Sequence, residues 1–240
     1  MNAFETALAF LTIFRVRGRA PATVEEVGKS AWAFPLVGAA IGLVLVVVWQ
    51  ILSGFFPVHV LAVLVLALWI VLTGGLHLDG WADCWDALAA SAPPEKRREI
   101  LKDSRLGKFG AVGLILLLAA KAGAMARPDL PILILFLAPV VGRGAMVIVV
   151  QGTVHRGHGM AASFVSGLDS RTVGWVWGLT IVAAVAADWR GIFAAALAIA
   201  AAFGFRRLAE SRLQMVNGDV LGGACELSEA VVLVVACIGA

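Results

Sequence analysis

Three aspartates, Asp79, Asp83 and Asp86, stand at i, i+4 and i+7 in the stretch Gly74-Gly75-Leu76-His77-Leu78-Asp79-Gly80-Trp81-Ala82-Asp83-Cys84-Trp85-Asp86. On a helix of about 3.6 residues per turn this spacing puts all three carboxylates on one face. Like charges so placed repel by a few tenths of a kcal/mol per pair even in water, and more near a membrane. Something positive should therefore sit among them. Hard oxygen ligands favour Mg²⁺, which binds one or two carboxylates and completes its shell with water and substrate phosphates. The pattern points to a diphosphate substrate, with Asp79, Asp83 and Asp86 as metal ligands; Asp83 is the named candidate for proton acceptor, a role that the spacing leaves open among the three. The plain alternative is a helix end whose acids are solvated or paired with Lys96, Arg97 and Arg98 downstream. His77 suits phosphate binding or proton transfer, and equally an ordinary hydrogen bond.

Other segments carry complementary groups. Arg105 and Lys108 lie in the glycine-containing run from Lys102 to Gly110 and can hold phosphate oxygens, although a basic loop beside a membrane also attracts anionic lipid. Arg143 sits between Gly142 and Gly144 inside an apolar run, and Arg156 lies with His155 and His158 in a glycine-rich loop. These four cations are the candidates for a phosphate clamp, although snorkelling would also account for Arg143 and a plain connecting loop for Arg156. A second acidic segment holds Asp219 and Glu226, seven residues apart, which share a helical face unless Gly222-Gly223 breaks the helix. Lys121 is expected to reach the membrane interface with no role in the site.

The elements that must position these residues are membrane helices. Of 240 residues 61% are hydrophobic and only 15% charged, with mean hydropathy +0.94, 26 glycines, eight tryptophans and no tyrosine. A soluble domain carries about 25% charged residues. An all-α, polytopic helical bundle forming a single membrane domain over residues 1–240 is expected. Apolar runs stand at Phe34 to Phe56, Val58 to Gly74, Gly110 to Ala126, Leu130 to Val150, Val173 to Ala187 and Gly191 to Phe205, and the chain ends in a shorter run from about Glu226 or Ala230. That makes six spans, or seven with the last. Residues 1–30 read as an interfacial or cytosolic segment and 75–109 as the cytosolic catalytic loop and helix ends.

With the N-terminus in the cytosol, fifteen Lys and Arg fall inside and only Arg127 and Arg190 outside, a strong positive-inside bias. The acids then face the cytosol. The net charge of +3, spread along the chain, argues against a nucleic-acid partner, and Cys84, Cys225 and Cys237 have no disulfide or zinc spacing. No repeat is evident.

Taken together, the segments resemble the cobalamin synthase family, also called adenosylcobinamide-GDP ribazoletransferase, from about Phe10 to Glu229. Residues 74 to 87 resemble its signature Gly-Gly-Leu-His-Leu-Asp-Gly-Leu-Ala-Asp-Thr-Ala-Asp-Gly. Asp103 to Gly110, Gly142-Arg143 and Gly218 to Glu229 resemble three further motifs. Trp81, Cys84, Trp85 and Ala87 depart from the signature without removing a carboxylate, and Asn217 stands where a glycine or threonine is usual. The resemblance implies transfer of the phospho-adenosylcobinamide group of adenosylcobinamide-GDP to α-ribazole or its 5′-phosphate, with release of GMP, in a multi-pass protein of the bacterial inner membrane. Its partners would be corrinoid and nucleoside substrates and the lipid bilayer, with association with other enzymes of cobalamin biosynthesis and the oligomeric state left open. Rival readings are a CDP-alcohol phosphatidyltransferase, which expects an arginine soon after Asp-Gly-x-x-Ala, a prenyltransferase, which expects an aromatic channel, and a transporter, which expects charges near the membrane midplane.

Overall fold

The computed structural model describes residues 2–14, 22–151 and 160–238, and among these the regular structure is helical, with no strand. Two short helices, α1 (Ala3–Leu11) and α2 (Val24–Lys29), open with capping boxes, Asn2 with Glu5 and Thr23 with Glu26. The long apolar helix α3 (Phe34–Leu52) follows, then α4 (Val58–Thr73) after Pro57 and α5 (Leu76–Ala89) after Gly74-Gly75. The short α6 (Pro94–Ile100) leads into α7 (Lys108–Met125) and α8 (Ile132–Val149). The remaining helices are α9 (Met160–Ser166), α10 (Ser170–Ala186), α11 (Asp188–Leu213) and α12 (Gly218–Val235).

Four stretches, Ala31–Leu52, Lys108–Met125, Ile132–Val149 and Asp188–Leu213, are long and apolar enough to cross a membrane, and α4 joined to α5 as a bent pair makes a fifth. The chain is a helical polytopic membrane protein. The expected six or seven spans exceed this number for two reasons. Helix α10 has only 17 residues, and α12 carries Asp219, Glu226 and Glu229. The last helix also begins at Gly218 rather than near Glu226, and it runs through Gly222-Gly223 unbroken.

Helix α8 is the centre of the bundle. Every residue from Leu137 to Val149 is buried, and glycines of the neighbouring α3 bring the two backbones together. Gly38 and Gly42, one turn apart on α3, face it so closely that a Cβ would lie 2.4 Å from the Pro139 carbonyl oxygen and 2.6 Å from that of Phe136. Without a hydrophobic drive between helices in lipid, such close packing supplies the association. The opposite faces present apolar side chains outward, including Leu43, Val47 and Ile51 on α3, Ile115 and Leu116 on α7, and Val182 and Val185 on α10.

The element that matters most for the site is the corner between α4 and α5. Gly74 (φ 63°) and Gly75 (φ 69°) are both left-handed, a conformation open to glycine at little cost. Their N–H groups donate to the Val71 and Ile70 carbonyls at 3.1 Å and close α4. The chain then turns by 94°, so that α5 leaves the line of the apolar span and runs across the end of the bundle.

Candidate active site

The rotation of α5 about its axis is fixed by what it buries. His77, Gly80, Trp81, Cys84 and Ala87 face inward. The Trp81 indole N–H donates to the Gly113 carbonyl at 3.0 Å, and its ring packs on Phe205 and Trp85 with centroids 5.8 and 5.7 Å away. At the C-terminal end the buried Arg97 guanidinium donates to the Ala87, Leu88 and Ala92 carbonyls at 2.6–2.9 Å. What remains on the outer side is the acid face, with Asp79 exposed and Asp83 and Asp86 half-buried.

A fourth acid joins from α12. Its first turn crosses α5 at Gly80, where a Cβ would come within 2.9 Å of the Asp219 backbone. Asn217 caps α12 by accepting the Val220 N–H at 3.2 Å, and its amide donates to Asp219 at 2.6 Å. The basic loop is tied on by Asp86, which accepts the Gly107 N–H at 2.8 Å and the Phe109 N–H at 3.1 Å and so caps the start of α7 from another helix. Arg105 and Lys108 consequently sit beside the acids. Both are exposed, Arg105 engaged with Asp103 at 2.6 Å and Lys108 over the Phe109 ring at 5.2 Å.

Burial and the charges of Asp79, Asp219, Asp86 and Asp103 push the Asp83 carboxyl up to about 6. Burial also raises Asp219, against the Asn217 hydrogen bond and with help from Asp79. Pairing with the downstream cations does not relieve this crowding. Lys96 engages Glu99 at 2.6 Å, Arg98 engages Glu95 at 3.1 Å, and Arg97 serves carbonyls. Among the described residues no cation forms an ion pair with Asp79, Asp83, Asp86 or Asp219. Nor is any group of three or more His, Cys, Asp or Glu arranged to hold a single ion. Hard oxygens with uncompensated repulsion, and only one or two at any one point, fit a Mg²⁺ ion that takes its other ligands from water and phosphate.

Several candidates lie elsewhere. Glu226 shares a face with Asp219, but seven residues of helix set it about 10 Å deeper. There it is buried and bound to the Lys121 ammonium at 2.5 Å. Lys121 does not reach the interface: it is 2% exposed, contacts Glu229 at 2.5 Å and lies over the Trp69 ring at 4.7 Å. Arg143 has no exposed surface and pairs with Glu229, which withdraws it from a phosphate clamp at the acid face. The signal missed in the sequence was charge balance, because two cations inside apolar helices demand two acids at the same depth. Arg156 lies outside the described residues.

His77 is 3% exposed, and neither ring nitrogen has a hydrogen-bond partner. It stands on the wall of a partly open cavity of about 270 Å³ lined by residues of α1, α2, α5, α8, α9 and α12, with Asp219 on the same lining.

The cobalamin-5-phosphate synthase family model matches residues 3–237, which include the α4–α5 corner, the acid face, the basic loop and both acidic turns of α12. The chain belongs to the cobalamin-5-phosphate synthase family. A relative from Syntrophobacter fumaroxidans is 38% identical over 240 residues, covering 96% of each chain. Relatives from Pseudomonas putida (36%, 97% of each chain) and Brevibacillus brevis (35%, 98% of this chain and 97% of the other) are similarly full-length. All three are named adenosylcobinamide-GDP ribazoletransferase. No solved structure matches. For a cobalamin-5-phosphate synthase family member, the rival phosphatidyltransferase, prenyltransferase and transporter readings fall away.

Proposed function

We propose that the chain is an adenosylcobinamide-GDP ribazoletransferase, moving the phospho-adenosylcobinamide group onto α-ribazole or its 5′-phosphate with release of GMP. The observation that carries this reading is the crowd of four acids, Asp79, Asp83, Asp86 and Asp219, without a pairing cation among the described residues and beside the Arg105 and Lys108 loop. Such a face suits a diphosphate that arrives with its own divalent cation.

Asp79 and Asp83 would hold Mg²⁺, which when bound supplies charge neutralisation to the diphosphate. Lys108, and Arg105 once it leaves Asp103, neutralise the outer phosphate oxygens and orient GMP as leaving group. Asp86 holds the start of α7 through two N–H groups and keeps that loop in place. The acceptor's ribose oxygen attacks the phosphorus attached to the cobinamide, and the bond from that phosphorus to the GMP oxygen breaks. The hydroxyl proton passes to Asp219, which is preferred to Asp83 because it both adjoins the acid face and lines the neighbouring cavity. The positive-inside bias supports a cytosolic site on the bacterial inner membrane.

The test is purified protein in nanodiscs with adenosylcobinamide-GDP, α-ribazole and Mg²⁺, following GMP by chromatography and the cobalamin product by absorbance. Folded protein that releases no GMP with any divalent metal would sink the reading. The same assay with α-ribazole 5′-phosphate ranks the two acceptors.

A further inference from the structure

Beside the acid face the protein keeps an apolar cavity with an unused polar group inside it. The walls include Phe10 of α1, Val24 and Val27 of α2, Met146 of α8 and Phe164 of α9, and the polar exceptions are His77 and Asp219. A buried imidazole with neither nitrogen bonded costs free energy unless a partner arrives. A neutral imidazole offers one donor and one acceptor. Size sets the class of guest. An apolar cavity of about 150 Å³ accepts one benzene ring. At about 270 Å³ this cavity has room for a fused bicyclic ring.

We infer that this cavity is the seat of the acceptor nucleoside's heteroaromatic base, with His77 hydrogen-bonded to the base's ring nitrogen and the sugar emerging past Asp219 toward the acid face. The inference rests on the transferase reading and adds the acceptor site to it. It assigns base selectivity to α1, α2 and α9, elements that carry none of the acids of the phosphate site. It also makes His77 a binding residue for the base.

The test separates the two substrates. In the full chain in nanodiscs, Val24→Trp at the rim and Leu221→Phe on the α12 wall are expected to raise the KM for α-ribazole about tenfold or more, leaving the KM for adenosylcobinamide-GDP within about twofold, since a tenfold change is about 1.4 kcal/mol of lost binding. His77→Leu keeps the site apolar and loses the hydrogen bond, with a similar rise confined to the nucleoside. On the unaltered protein, free benzimidazole should compete with α-ribazole and not with the corrinoid nucleotide. Competition with neither substrate overturns the inference, as do folded variants whose two KM values move together or not at all. Unaltered protein that binds α-ribazole and benzimidazole at one site yet releases no GMP would keep the cavity and remove the transferase.

Discussion

Replacing Asp83 with asparagine should make the protein more stable and inactive at once. In the folded chain the Asp83 carboxyl is raised from 3.8 to about 6, first by burial and then by Asp79, Asp219, Asp86 and Asp103. A folded value above the unfolded one means that the folded state binds the proton more tightly, so stability is fully present below about pH 4 and is lost as pH rises through about 6. A rise of that size corresponds to about 3 kcal/mol, at about 1.36 kcal/mol for each tenfold change in proton affinity. Asp83 is half-exposed, and solvent screening reduces that figure to roughly 1 kcal/mol. Asparagine removes the repulsion and keeps the shape. In magnesium-free detergent at pH 7.5 the tryptophan-fluorescence melting temperature of Asp83→Asn should exceed that of the unaltered protein by about 2–4 °C. Near pH 4.5 the two should converge. Added Mg²⁺ should raise the melting temperature of the unaltered protein more than that of the variant, because a ligand bound only to the folded state stabilises it. GMP release by the variant should be undetectable. A variant less stable at pH 7.5 by the same margin as at pH 4.5 would refute the reasoning, because Asp83 would then be held by favourable bonds rather than pressed by its neighbours.

Three further outcomes are expected. Glu229→Gln strands the Arg143 guanidinium and should cost about 3–5 kcal/mol, read as loss of monodisperse protein on size exclusion, whereas Glu229→Leu with Arg143→Leu should recover most of it by leaving the Lys121–Glu226 pair neutral. Equal loss in the single and double variants would contradict this. Gly38→Ala drives a Cβ into the Pro139 carbonyl and should lower stability by about 1–3 kcal/mol in a thermal melt, while Gly54→Ala, with nothing within 4 Å, should not. Asp86→Ala frees two N–H groups at the start of α7 and should cost about 1 kcal/mol of stability, together with a raised KM for the corrinoid nucleotide in the GMP assay.

The helices and the acid face were legible in the sequence because both depend on local spacing. Apolar length gave α3, α4, α7 and α8 to within a few residues, although α11 runs eight residues past the expected Phe205, and the i, i+4, i+7 pattern put Asp79, Asp83 and Asp86 on one helical face. What was illegible depends on partners far along the chain. Lys121 meets Glu226 and Glu229 across more than a hundred residues, and Arg143 meets Glu229 across 86. Periodicity put Asp219 and Glu226 on one face correctly, but a face has depth, and the same helix delivers one acid to the surface site and the other to the interior. The role of Asp86 as a cap for α7 was hidden for the same reason, since a cap supplied by another helix leaves no mark in the local sequence.

The buried quartet of Lys121, Arg143, Glu226 and Glu229 has a consequence for biogenesis. Helices α7 and α8 leave the ribosome first, each carrying a positive charge into the bilayer, and their counter-charges arrive only with α12. Until α12 docks, the partly made bundle holds two uncompensated cations at a depth where each is costly. Completion of the chain and closure of the bundle are thereby coupled.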